Sequence, residues 1–406
     1  MRLRIKEICD YVSRGTTPDY VDEGANKVMN QATFSKGWLD ESNIRYTSKA
    51  NKGARIMKGD LLMASTGGGV LGKVFFFDDD DSFYADSHVT IMRNSKGANL
   101  MKYLYYYFYL RYDEINATMV KGSTNQTELQ RNYLLSYELD VPTLADQQRM
   151  VTYLDTKLSE IDHQVSLLTS KRDAYLRLKK SIINHAVTRG LNPNVKMKDS
   201  GIEWIGEVPE HWEVKRMKDI CDYISRGSTP DYVDEDYQKV MNQGTFSKGW
   251  IDESNIRYTK VGKSGAHIKK GDLLMASTGG GVLGKILYFD SIDENYYADS
   301  HVTIMRNSKG INSMKFLFYH FSLRFDEINA TMTKGSTNQT ELQRYELLSH
   351  KVAIPPLPEQ HAIATYLDDK CAKIDTIVSN FGKQISRYAD LKRSLIDEVI
   401  TGKRAV

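Results

Sequence analysis

At 406 residues, 41% hydrophobic and 26% charged, the chain is long enough for two or three domains with their own cores and has the balance of an ordinary globular protein. Its 55 Lys and Arg against 52 Asp and Glu leave a formal net charge of +3, so binding to a polyanion must come from local patches and not from a global field. No apolar run reaches membrane-spanning length, MRLRIKEICD is not a signal peptide, and Cys9, Cys221 and Cys371 lie far apart without a CxxC pair, so the expectation is a cytoplasmic protein lacking a disulfide framework or zinc site.

In chain order, residues 1–142 read as a first head. Short β-type runs, Asp60 to Ser65, Gly72 to Phe77 and His88 to Met92, are separated by Gly- and Asp-rich turns. A helical segment follows, MKYLYYYFYLRYDEINATM, which makes the head α+β. Its Tyr103, Tyr106, Tyr107 and Phe108 could stack on bases, but a helix apolar nearly all round belongs in a core. Residues 143–192 form a long helix. No Pro or Gly occurs from Asp146 to Arg189, and Leu154, Leu158, Ile161, Val165 and Leu168 keep the spacing of a heptad seam. Gly190 stands where that helix should stop. Residues 193–213 read as a packed linker, with Trp204, Ile205 and Trp212 supplying apolar contacts and Pro209 barring a helix.

A second head, 214–355, and a second helix, 356–406, repeat the first half. Cys221 minus Cys9, Pro230 minus Pro18 and Gly271 minus Gly59 are each 212; past one inserted residue near Asp78 to Asp81, His301 minus His88 is 213. KGDLLMASTGGGVLGK, YADSHVTIMRNSKG and KGSTNQTELQR each occur twice unchanged. The second seam runs through Leu367, Cys371, Ile374, Val378, Phe381 and Ile385. A period of half the chain excludes solenoids and propellers, whose units are far shorter. Two narrow seams of equal length bury each other, and a short linker makes the second helix run back. The expected fold is two tandem, nearly identical α+β heads joined by an antiparallel coiled coil in a pseudo-two-fold arrangement, with about 33 residues of helix setting the heads roughly 50 Å apart.

These features together resemble the specificity subunit of type I restriction–modification systems over essentially the whole chain. The resemblance is carried by DSGIEWIGEVPEHWEVKRMKDI before the second head, a Gly-Asp-Leu-Leu strand followed by STGGGVLGK, GSTNQTEL near the end of each head, and IPPLPEQ leading into the second helix. The first half departs twice: no IEWIGE segment precedes its head, and VPTLADQQ stands where IPPLPEQ is expected. What the resemblance implies is two target-recognition domains and two conserved helical regions. The chain would be a non-catalytic DNA-recognition scaffold assembling with two adenine-N6 methylation subunits and, in the full complex, ATP-driven restriction subunits. S-adenosylmethionine, ATP and magnesium would belong to those partners. Lys157, Lys171, Lys179 and Lys180 on the helices would dock partners or simply be solvated. Family members usually carry dissimilar heads. Like heads imply a palindromic or near-palindromic interrupted target, with Thr16 versus Ser228 and Ala32 versus Gly244 tuning little. The alternatives are a binding module of a related DNA-processing system and a coiled-coil assembly protein with protein- or carbohydrate-binding heads.

Several motifs invite chemistry. GGGVLGK, at Gly67 to Lys73 and Gly279 to Lys285, matches the GxxxxGK of a P-loop, but Val74 and Ile286 stand where a hydroxyl must reach magnesium. The remaining readings are a tight strand connection or a turn offering backbone N–H groups to a DNA phosphate. Asp86 and His88, like Asp299 and His301, lie two apart on a strand and share a face. With Ser65 they suggest a hydrolytic triad, yet no GxSxG elbow exists, and a hydrogen-bonding histidine is expected. RGTTPD and MNQATFSK mix cations, hydroxyls, carboxamides and aromatics; Arg14 suits a guanine edge, and a solvated turn is the plain alternative. KGSTNQ offers carboxamides to adenine and hydroxyls to phosphate, or a helix cap ahead of Glu128.

The candidate DNA contacts of the first head are therefore Arg14, Thr16, Thr17, Asn30, Gln31, Ser35, Lys36, Thr66, Gly68, Lys73, His88, Lys121, Ser123, Thr124, Asn125 and Gln126. Their counterparts are Arg226, Ser228, Thr229, Asn242, Gln243, Ser247, Lys248, Thr278, Gly280, Lys285, His301, Lys334, Ser336, Thr337, Asn338 and Gln339. With no NPPY-type methyltransferase tetrapeptide, no complete ATPase motif and no nuclease constellation in the sequence, no catalytic or metal-ligating residue is assigned.

Overall fold

The structure, a computed structural model, describes all residues except 50, 96, 122–126, 204, 235–237, 261–265, 294 and 336–339, and all remaining side chains except those of 52, 98 and 99. It divides into two units, residues 1–169 with 383–406, and residues 170–382. Each unit holds one head and one end of both long helices.

In the first unit an antiparallel sheet runs in the order Tyr11–Arg14, Val89–Arg93, Leu61–Ala64, Val74–Phe76. A second sheet orders Tyr20–Val21, Arg45–Thr47, Asn26–Met29, Phe83–Ala85 and Arg55–Ile56, with Asn26–Met29 and Phe83–Ala85 parallel. All four residues of Leu61–Ala64 are buried, because the first sheet is covered on both faces. Alternation assigns each side chain to a layer. Leu62, Ala64, Val89 and Ile91 join Met29, Phe77 and Phe83, whereas Leu61, Met63 and Met92 join the helix Ala98–Tyr109. Tyr103, Tyr106, Tyr107 and Phe108 of that helix are buried, which makes these four aromatics core residues, while Tyr109 is exposed.

The second unit repeats the plan. Its sheets run Tyr223–Arg226, Val302–Arg306, Leu273–Ala276, Ile286–Tyr288 and Tyr232–Val233, Arg257–Thr259, Gln238–Met241, Tyr296–Ala298. An isolated bridge between His267 and Tyr297 stands where the first head pairs Arg55–Ile56 with Phe83–Ala85.

The long helices span Leu144–Arg189 and Leu357–Ile400. Pro358 is tolerated because first-turn N–H groups have no intrahelical partner to lose, and Gly190, at φ +73, ends the first helix. In the first unit Leu154 and Ile161 pack with Leu395, Ile396 and Val399, flanked by the partly buried Leu158 and Val165. In the second, Ile183, Ala186 and Val187 pack with Ile363, Leu367 and Cys371. An early stretch of one helix thus meets a late stretch of the other in both units, which is antiparallel pairing. Ile374 is buried, while Leu168, Val378, Phe381 and Ile385 are half-buried, as expected where two helices cover only one stripe of each other. Lys179–Asp375, at 2.6 Å, and Lys392–Asp162 flank the seam.

Each head is fastened to its helix by one repeated cluster. Tyr106 donates its hydroxyl to Asp155 at 2.6 Å and Lys102 pairs with the same carboxylate at 2.8 Å; Tyr319 and Lys315 do so on Asp368 at 2.6 and 2.9 Å. The linker is packed, and it also contains a hairpin of Met197–Asp199 with Glu207–Pro209. Trp212 is fully buried, its Nε1 donating to Glu359 at 3.2 Å. No helix among the described residues is long and apolar enough to cross a membrane.

Candidate nucleic-acid interface

Both heads open the same cleft. In the first, a cavity of about 530 Å³ is lined by Tyr20, Asn30, Gln31, Ala32, Ser42, Asn43, Ile44, Arg45, Asp86 and His88. In the second, one of about 490 Å³ is lined by Tyr232, Asn242, Gln243, Ser254, Asn255, Ile256, Arg257, Asp299 and His301. Every one of these nine is the counterpart of a first-head residue, and the tenth, Ala32, corresponds to Gly244. The second sheet builds the cleft, with strand ends at Met29, Ala85 and Arg45 delivering Asn30, Asp86 and Arg45 to one rim.

Local chemistry fixes most of the lining. Asn30 accepts from the N–H groups of Ala32 and Thr33 at 2.8 and 3.2 Å and donates to the Asn43 carbonyl at 3.4 Å, so it caps the helical turn Gln31–Phe34. Asn242 repeats this over Gln243–Phe246. Asp86 accepts from the His88 N–H at 2.8 Å and the Tyr20 hydroxyl at 3.2 Å, yet burial holds its carboxyl above the usual carboxylate range. Burial, with Asp86 beside it, pushes the Tyr20 hydroxyl up to about 12. At the mouth the Arg45 guanidinium lies over the Tyr20 ring at 5.1 Å, and Arg257 over Tyr232 at 5.0 Å. Gln31 is different. Its Oε1 is buried without a hydrogen-bond partner among the described residues, and so is Oε1 of Gln243.

The other candidates scatter around this cleft. Thr66 and His88 meet at its edge, Oγ1 to Nδ1 at 2.6 Å, and Thr278 and His301 at 2.7 Å. Ser65 instead bonds Thr90 at 2.6 Å inside the core, so no triad forms. Arg14 donates twice to the Ser87 carbonyl, at 2.9 and 2.6 Å, and pairs with Glu128; Arg226 lies 3.5 Å from Glu341. The guanidinium read as a guanine contact is thus engaged within its own head. Lys73 and Lys285 each donate to a backbone carbonyl, that of Ser35 or Ser247, at 2.7 Å. Lys36 and Lys248 pair with Asp40 and Asp252 at 2.7 and 2.8 Å, holding those carboxyls down at about 2. Thr16 and Thr17 line a separate cavity of about 190 Å³ with Pro18, Asp19 and Lys49. Ser228 N–H bonds Ala298 as Thr16 N–H bonds Ala85, both at 3.2 Å, with Thr229 following. Gly68 is exposed on the glycine-rich turn, as is Gly280, and Lys121 and Lys334 are exposed on short strands. Ser123, Thr124, Asn125, Gln126, Ser336, Thr337, Asn338, Gln339 and Trp204 lie outside the described residues.

Sequence reasoning passed over Tyr20, Ser42, Asn43 and Arg45 as lining residues. A signal was present. DESNIRYT, Asp40 to Thr47, recurs unchanged at Asp252 to Thr259, although core positions such as Phe75 and Leu287 have drifted.

A duplicated α+β head with a polar cleft, each copy fastened to an antiparallel helix pair, defines a two-headed architecture. The family model described as type I restriction modification DNA specificity domain matches residues 1–167 and 209–381, so the chain belongs to that family, as one of its specificity subunits. It is similar to a Haemophilus influenzae protein named as a type I restriction enzyme specificity subunit, 25% identical over 366 residues that cover 89% of this chain and 88% of that one. The MjaVIII specificity subunit of Methanocaldococcus jannaschii is 23% identical over 323 residues, 77% and 73% of the two chains. A chain solved in work on complex assembly and conformational transition of the type I R-M system shares the fold, with a TM-score of 0.74 at 14% identity over 98% of this chain and 97% of that one.

Proposed function

We propose that this chain is the DNA-recognition subunit of its complex, without catalysis of its own, and that each head reads one half-site of a bipartite duplex target. The observation that carries this reading is the twin cleft, with nine lining residues matched one for one, while core positions such as Ile5 and Met217 or Tyr103 and Phe316 differ between the heads. Like clefts read like half-sites, so the target is an interrupted palindrome or near-palindrome. Two methylation subunits are the proposed partners, joined by restriction subunits in the full complex, and those partners would hold S-adenosylmethionine, ATP and magnesium. The helices support a docking role, since Leu167, Leu176, Leu178 and Leu391 are exposed on them beside Lys171 and Lys180. The test is co-expression with the cognate methylation subunit and base-resolution mapping of N6-methyladenine. One interrupted palindrome is the expected result. A strongly asymmetric motif would overturn the like-half-site reading, and no motif would overturn recognition itself.

A further inference from the structure

The unpartnered carboxamides point to what the cleft reads. A buried amide oxygen without a donor costs free energy, and native folds rarely leave one. Among the described residues it occurs once in each cleft, at Gln31 and Gln243. Both side chains line the cleft, and both lean on the glycine-rich turn, where a Cβ on Gly67 or Gly279 would stand 3.6 or 3.8 Å from Nε2. The last torsion of a glutamine is soft, so the oxygen can turn into the cleft without breaking a bond of its own. A carboxamide presents an acceptor beside a donor. Among base edges in the major groove, adenine alone offers the complement, an N6 donor beside an N7 acceptor. Asn30 cannot substitute, because its oxygen is committed to the helix cap.

Resting on the recognition reading above, we propose that Gln31 and Gln243 each read one adenine, at equivalent positions of the two half-sites, with the exposed Arg45 and Arg257 at the mouth placed for a flanking phosphate.

The experiment is selection from randomised duplexes by the complete chain co-purified with its methylation subunit. Wild type should select an adenine at mirror positions. Gln31→Leu should relax discrimination about 10- to 100-fold at one position of one half-site only, and Gln243→Leu at the mirror position. The salt dependence of binding should not change, since no phosphate contact is removed. Gln31→Glu, an acceptor alone, should move that position toward cytosine, an outcome that a misfolded head cannot produce. An unchanged motif in both Leu variants, or equal weakening on every sequence, would overturn the assignment while leaving recognition standing. A wild-type complex that selects no motif would defeat the recognition reading, and this inference with it.

Discussion

His320 Nε2 lies 3.2 Å from His350 Nε2 inside the second head, at the place where the first head sets the hydroxyls of Tyr107 and Tyr137 3.2 Å apart. The two pairs are equally close, but only the imidazoles can take up a proton as the pH falls. Burial, with Arg324 nearby, holds the imidazole of His350 down at about 4 and that of His320 well below its usual value. In the unfolded chain both titrate near 6.5. The unfolded state therefore binds more protons between those values, and stability is fully present above pH 6.5 and lost as pH falls toward 4. His350 alone contributes a loss on the order of 3 kcal/mol. The second head should unfold at higher pH than the first in an acid titration followed by hydrogen exchange. His320→Tyr with His350→Tyr should remove the difference; equal acid lability of the two heads in the native chain would refute this account.

Asp60 and Arg93 form a buried two-pronged pair, with Nε to Oδ1 and Nη2 to Oδ2 both at 2.7 Å, and the Met57 N–H adds a third donor at 2.7 Å. Removing one member strands the other charge. Asp60→Ala should cost about 3–5 kcal/mol, far more than Asp19→Ala, which touches only an exposed pair with Lys49. Urea unfolding of the two variants compares them directly, and equal midpoints would show that the buried pair contributes no more than the exposed one.

How much of this was legible beforehand depends on the range over which each signal acts. The long helices were readable because the 3.5-residue repeat of Leu154, Leu158, Ile161 and Val165 is local, and their antiparallel pairing followed from connectivity. Three of the four strands of the first sheet were legible as β-type runs, and Tyr11–Arg14 was not. The second sheet was not, since Asn26–Met29, Phe83–Ala85 and Arg45–Thr47 are short, and the parallel pair at its centre joins segments more than 50 residues apart, Met29 with Ala85. The cleft sits on that sheet, so its members could be suspected one at a time but not assembled. Arg14 shows what residue type alone does not reveal: a guanidinium suited to a base edge also bonds the Ser87 carbonyl and pairs with Glu128 within its own head.

The altered junction sequence has an energetic counterpart. Gln360 accepts from the Ser313 N–H at 2.7 Å and donates to Asn312 at 3.1 Å and the Pro355 carbonyl at 2.8 Å. Its counterpart Gln147 donates to the Pro142 carbonyl at 2.9 Å, and its Oε1 has no partner among the described residues. Gln360→Leu should therefore cost about 2–3 kcal/mol and Gln147→Leu about 1 kcal/mol or less. Thermal unfolding of the full chain would register the contrast, and a larger loss at Gln147 would contradict it.

Ala32 and Gly244 are the one difference between the two cleft linings, and their backbones show how little it should matter. Each N–H donates to the preceding asparagine, to Asn30 at 2.8 Å and to Asn242 at 2.7 Å, so the cap is the same whether or not a methyl is present. A Cβ added at Gly244 would meet Asn242 Oδ1 at 2.9 Å, and the first head carries that methyl at Ala32 with its cap bond to Asn30 intact. Ala32→Gly should therefore leave the base preference of its half-site unchanged, with discrimination altered by less than about threefold, well below the tenfold or greater effect of losing a bidentate base contact. Selection from randomised duplexes measures this directly. A change in the preferred base after Ala32→Gly would mean that the heads read different half-sites, and the target would then be asymmetric despite the shared lining.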